Sequence, residues 1–155
     1  MTRSDDAHGS NRAFDLDRFV RAQEDVYEQA LHEIRTGHKR SHWMWYIFPQ
    51  LAGLAFSQTS LHYAIRNADE AHAYLDHPVL GPRLLECMES LLELEGRSAT
   101  QIFGAPDDLK LRSCATLFAS VSPPGSPFEH VLEKYCRGVP DAKTLQLLGN
   151  AGDHR

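Results

Sequence analysis

The sequence predicts a mainly α-helical fold, a single compact domain of about seven helices. Three observations predict it. Apolar residues recur at intervals of three and four along most of the chain. Glycine and proline fall at the ends of these periodic stretches. No run rich in Val, Ile and Thr alternates with polar residues as a half-buried strand would.

Taken in order, residues 1–14 are polar and small and read as a disordered N-terminal tail. The domain occupies 15–148, and 149–155 reads as a second tail. The first long helix is expected over 16–36, with Phe19, Val20, Val26, Tyr27, Ala30, Leu31 and Ile34 at helical spacing. Asp17 is placed to cap its start and Gly37 its end. Gln23 lies on the same stripe as Phe19, Tyr27 and Ile34, so it is a polar group facing inward that needs a hydrogen-bond partner. The stretch "SHWMWYIFPQ" follows. Ser41 is a candidate N-cap, and Pro49 disfavours helix at Phe48, so a short helix or irregular turn is expected. Two short helices are expected near 58–66 and 68–76. A strong helix is expected over 80–94, with Leu84, Leu85, Met88, Leu91 and Leu92 on one side. "SATQIFG" reads as a short helical turn. The third long helix is expected over 106–121, with Pro106 in its first turn and Asp107 or Asp108 as a cap. "SPPGSP" is a loop, and "FEHVLEKYCRG" and "DAKTLQLLG" are the last helices, each ended by glycine.

Composition narrows the function. A chain of 155 residues is one domain's worth and can bury a real core. The formal charge is −5, with a pI near 6.0. Duplex nucleic acid is therefore not the expected partner, because phosphate binding needs clustered Lys and Arg. Three widely spaced cysteines without a CxxC pair fit free thiols in a reducing cytoplasm. The opening residues contain no apolar signal core, and "WMWYIF" is too short to span a membrane. A cytoplasmic monomer or small homo-oligomer is expected.

Nine histidines raise the question of a metal. His38 and His42 are four apart, but Gly37 puts His38 in a loop and no HExxH or cysteine pair accompanies them, so no metal is expected. GxGxxG, Walker and GxSxG patterns are absent, which leaves no cofactor signature. The three cysteines sit in helical patterns beside apolar residues and read as buried, unreactive thiols.

The aromatic run is the one unusual feature. Trp43, Trp45, Tyr46 and Phe48 crowd together, with His42 and Lys39 on one side and Gln50 on the other. A central core segment accounts for this, and so does the wall of a cleft in which an indole stacks on a ligand. At helical offsets Trp43, Tyr46 and Ile47 share a buried face, and Trp45 lies with His42 on another. The site expected on this reading has His42 as the catalytic group, since imidazole is the side chain best suited to proton transfer at physiological pH. Gln23, Ser41, Trp45 and Gln50 contact the ligand. Lys39, Lys110 and Arg112 supply positive charge for an anionic or nucleotide-like molecule.

The stretches "SHWMWYIFPQLAGLAFS", "YAIRNADEAHAYLDHPVLGPRL", "IFGAPDDLKLRS" and "VLEKYCRGVPDAKTLQLL" carry a resemblance. Over about residues 17–148 the chain resembles the uncharacterised bacterial domain-of-unknown-function family 1810, whose members are often labelled calpastatin. The resemblance implies a compact helical fold and supplies no activity. The calpastatin label is at odds with the periodic helices, because such inhibitors are long disordered chains. Ala55 and the Cys114–Ala115 pair depart from the residues expected there. "YLDHPVLGPRLLE" and "IFGAPDD" also loosely resemble the ADP-ribose-linked NADAR superfamily. There a glutamate stands where His42 stands here.

Two functional classes remain open. One is a binding or hydrolytic domain for a nucleotide or ADP-ribose-like molecule, N-glycosidase-like if it is an enzyme. The other is a non-catalytic interaction or regulatory module.

Overall fold

The computed structural model describes residues 14–153, with side chains to Gly149. The expected tail over 1–14 falls outside the described residues except for Phe14, whereas 149–153 of the expected second tail continue the last helix instead of leaving it at Gly149. Among these residues the protein is helical, as its periodicity requires, but with ten helices rather than about seven. They are α1 (Asp17–Gln23), α2 (Tyr27–Thr36), α3 (Met44–Ile47), α4 (Gln58–Tyr63), α5 (Ala68–Asp76), α6 (Leu80–Glu93), α7 (Ala99–Phe103), α8 (Asp107–Ser120), α9 (Pro127–Cys136) and α10 (Ala142–Asp153).

The extra elements come from short helices and from a break in the first long one. The helix expected over 16–36 is interrupted at 24–26, where Val26 leaves helical geometry at φ −122°. Neither proline nor glycine marks this break, which is why periodicity passes over it. The break separates two packing tasks. α1 faces α3, and α2 faces α6. Asp17 is not the cap of α1. It is the first helical residue, after Leu16. At the other end Gly37 takes the left-handed conformation at φ 76°, as a helix-ending glycine should. Ser57, Asn67, Ser98 and Ser126 cap α4, α5, α7 and α9 through their side chains. Ser98 and Gln101 form a reciprocal capping box.

Two helices organise the core. α6 packs against α2, α5 and α9, and α8 packs against α5, α7, α9 and α10. α8 is enclosed on nearly every side, with Leu111 and all of 113–118 buried. Its small polar residues fit because they satisfy themselves. Ser113 and Thr116 donate to the carbonyls of Leu109 (3.2 Å) and Arg112 (2.8 Å) one turn back. The one pairing of extended backbone among the described residues is an isolated parallel bridge between Leu51 and Ile65.

Polar ties connect elements far apart in sequence. Arg18 reaches the buried carboxylate of Glu70 at 3.0 Å and the carbonyls of His62 and Ala64 at 2.7 Å each. Gln23, the inward polar group of the first stripe, donates to the Tyr46 carbonyl (2.7 Å) and to the Tyr74 hydroxyl (3.1 Å). It also accepts from Arg83 at 3.3 Å.

The turn from α5 into α6 is tight enough to require glycine at position 81. A Cβ on Gly81 would overlap the backbone carbonyl of Leu75, which cannot rotate away. Gly81→Ala is expected to destabilise the protein by about 1–3 kcal/mol or more through overpacking. Gly149→Ala, in open space on α10, is expected to stabilise it by about 0.5–1 kcal/mol. Urea unfolding of the two variants checks the pair. A tolerated Gly81→Ala would show that the α5–α6 contact is looser than described.

Candidate functional site

The segment from Lys39 to Gln50 is fastened to the body at three places. At one end the Lys39 amide donates to the Ile102 carbonyl at 2.7 Å. At the other, the Ile65 amide donates to the Gln50 carbonyl at 2.9 Å, and the Ala52 amide returns a bond to Ile65 at 2.8 Å. Between them lies a carboxylate that the sequence did not single out, Glu33 of α2.

Glu33 is buried at 1% exposure and accepts five hydrogen bonds. Oε1 takes the amides of Arg40 (2.8 Å) and Ser41 (3.1 Å) and the indole Nε1 of Trp43 (2.9 Å). Oε2 takes the Ser41 hydroxyl and the Gln29 amide, both at 2.6 Å. Burial alone would raise its pKa. The donors from Ser41, Gln29, Arg40 and Trp43 outweigh burial and hold the carboxyl at about 2. Ser41 is therefore not a helix cap. Its hydroxyl is spent on Glu33, and α3 begins only at Met44, after Trp43. Glu33 lies on the edge of the inward stripe of α2, where spacing alone does not separate an inward glutamate from a solvated one. The signal that could have found it is Trp43, whose buried indole N–H demands an acceptor.

Trp43 is 1% exposed and packs with Phe48 and Phe103 at ring separations of 6.1 and 6.4 Å. Ile47 is buried with it, and Tyr46 is half-buried against Tyr63 at 5.2 Å. Trp45 points elsewhere. Its ring lies 5.2 Å from the Lys110 ammonium, a cation–π distance.

Lys110 belongs to a charge triad. Asp107, in the first turn of α8, sits between Lys39 (3.1 Å) and Lys110 (3.3 Å). Lys39 is the more buried of the two. Its ammonium also bonds the Ser41 carbonyl and lies 5.0 Å from the Trp43 ring. One carboxylate between two ammonium groups leaves this triad with a net positive formal charge, and its Lys110 member lies beside Trp45.

Trp45, Gln50 and Lys110 line one small opening with Ser60 and Tyr63, of about 10 Å³. That is room for roughly one water. His42 is exposed and does not line it, because the residue precedes α3 and the helical offset linking it to Trp45 does not apply. Gln23 lies in the core network described above. Arg112, two residues beyond Lys110 and so turned about 200° away on a helix, lies beside the thiol of Cys136.

The remaining chemistry is quiet. Burial pushes the thiol of Cys87 up to about 12, and raises those of Cys114 and Cys136. Among the described residues no group of three or more His, Cys, Asp and Glu could hold a metal ion. No helix among them is long and apolar enough to cross a membrane.

The family described as "Protein of unknown function (DUF1810)" matches residues 13–148. The chain is similar to the conserved hypothetical protein Rv1873 from Mycobacterium tuberculosis, whose crystal structure is known. The two are 49% identical, with a TM-score of 0.87, over 88% of this chain and 98% of the other. No curated protein matches the chain.

The pKa of Glu33 yields a pH prediction. It lies below the ordinary value of 4.5, so the stabilisation is complete above about pH 4.5 and is lost as pH falls towards about 2. A displacement of that size corresponds to about 3 kcal/mol. Glu33→Gln replaces one acceptor oxygen by an NH2 group facing other donors, and should cost on the order of 3 kcal/mol at neutral pH. It should also flatten the loss of stability below pH 4.5. Urea midpoints at pH 7 and pH 3.5 test this. Equal acid sensitivity in both proteins would remove Glu33 as the cause.

Proposed function

The chain belongs to the DUF1810 family, and from that premise we propose that this member is a binding domain for an anionic, nucleotide- or ADP-ribose-like small molecule. The observation that carries the reading is the unbalanced charge triad at Trp45. Lys110 holds a positive charge that Asp107 shares with Lys39, directly over an indole and beside the Gln50 carboxamide. The first turn of α8 adds the positive end of a 14-residue helix. A phosphate or carboxylate would meet Lys110 and Gln50, and a planar ring would lie against Trp45. The opening holds only about one water, so the charged group would sit at its mouth and the rest of the ligand would lie across the surface, where Arg40 and His42 are exposed.

Binding is favoured over hydrolysis because the carboxylates that could act are already committed. Glu33 is saturated by donors, and Glu70 is held by Arg18 and the Arg66 amide. One observation favours the interaction-module reading instead. Phe56 and Leu61, 74% and 56% exposed, lie just before and within α4, whose Ser60 and Tyr63 border the opening.

A thermal-shift series with ADP-ribose, AMP, NAD and inorganic phosphate separates the two. A ligand at 100 times its Kd adds about 2.7 kcal/mol, which for a domain of this size raises the Tm by several degrees. At least one nucleotide should do so, and Trp45→Ala and Lys110→Ala should each abolish the shift. No shift from any compound would leave the interaction module as the reading.

A further inference from the structure

A second concavity lies between the C-terminal half of α8, the outer side of α9 and the start of α10. Its volume is about 340 Å³, within the range of small-ligand sites. It shares no lining residue with the Trp45 opening. Ala119, Leu132, Pro140 and Leu145 give it apolar walls, and Leu145 is left 45% exposed there.

Its polar lining has one chemical sense. The Thr116 hydroxyl donates to the Arg112 carbonyl at 2.8 Å and accepts from the Asp141 amide at 2.8 Å. The Ser120 hydroxyl donates to the Leu117 carbonyl at 2.6 Å. The Gly138 amide donates to Leu132 at 2.9 Å, and the Leu145 amide to Asp141 at 3.2 Å. Every donor on the wall is thus consumed within the protein, and acceptors remain. Two of these are the carboxylates of Glu129 and Glu133, one helical turn apart on α9. Glu129 accepts from the Gly125 amide at 2.8 Å. Glu133 has neither a hydrogen bond nor an ion pair among the described residues. The last turn of α8, whose carbonyls carry the negative end of that helix, completes the lining. Among the described residues no Lys or Arg lines the groove.

A wall of acceptors and carboxylates beside an exposed leucine suits a ligand that brings only donors, a positive charge and an apolar stem. We propose that this groove binds an organic cation, a primary ammonium or guanidinium on a short apolar stem. The charged end sits between Glu129 and Glu133, and the stem covers Leu132 and Leu145. The groove takes the opposite charge from the Trp45 site and is independent of it.

An amide NMR titration of the full chain at low ionic strength tests this, with n-hexylammonium as probe and n-hexanol as its neutral counterpart. Hexylammonium should shift the amides of Glu133, Gly138 and Leu145 saturably, and hexanol should bind about tenfold or more weakly. Glu133→Gln, at an exposed position, should weaken hexylammonium about tenfold, the loss of one charge-assisted hydrogen bond. It should leave hexanol and the Tm unchanged. Trp45→Ala should leave both affinities unchanged. Equal affinity for the ammonium and the alcohol, an unchanged Kd in Glu133→Gln, or shifts scattered evenly over the surface would each overturn the proposal.

Discussion

A buried, ionised carboxylate without a cation must be satisfied by hydrogen bonds, and the rest of this structure follows from how Glu33 meets that demand. A charge removed from water is costly unless the protein supplies the donors that water would. Here they come from Gln29 on the same helix and from the chain just after it, Arg40 to Trp43. Gly37 turns the chain back at a left-handed φ of 76° so that this loop can fold over Glu33. Once it does, the Trp43 indole points inward between Phe48 and Phe103. Lys39 is then held against Asp107 at the start of α8. Trp45, two residues on, is turned towards Lys110 at the rim. One carboxylate in the core thereby sets the geometry of the surface at which we place the ligand.

The same logic recurs at two other places. Glu70 is buried and bound by Arg18, which joins α1 to α5 and to the end of α4. Gln23, Tyr74 and Arg83 join α1, α5 and α6. Apolar contacts would bury area equally well. They would not fix the register of short helices, whereas a hydrogen bond of defined direction does. With ten helices among the described residues, several only four to seven residues long, the fold depends on such fixed points more than a bundle of long helices would.

This division explains what could be read in the sequence. Periodicity revealed the long elements α2, α6 and α8, because an amphipathic or enclosed helix repeats its apolar residues. The inward position of Gln23 was legible for the same reason. The break at 24–26 was not, since it is imposed by what α1 and α2 pack against and has no local marker. In the aromatic segment, Trp43 could be assigned to the core. The grouping of Trp45 and Gln50 with Lys110, some 60 residues away in sequence, is brought about by tertiary structure. His42 shares a face with Trp45 only if helix extends through it, and the chain is not helical there. The burial of Glu33 has no local mark in the sequence, because a glutamate on the edge of a stripe is ordinarily solvated.

The central claim is that Glu33 holds the loop after α2 as firmly as the core itself is held. Hydrogen exchange of the Trp43 indole N–H and of the Arg40 and Ser41 amides measures this directly. The account predicts that all three exchange only through global unfolding, with the same opening free energy as core amides of α8 and the same response to denaturant. Arg40 is the telling member, since its side chain is exposed and loop amides of such residues ordinarily exchange fast. Exchange of these groups by local opening, orders of magnitude faster than the α8 core and insensitive to denaturant, would contradict it.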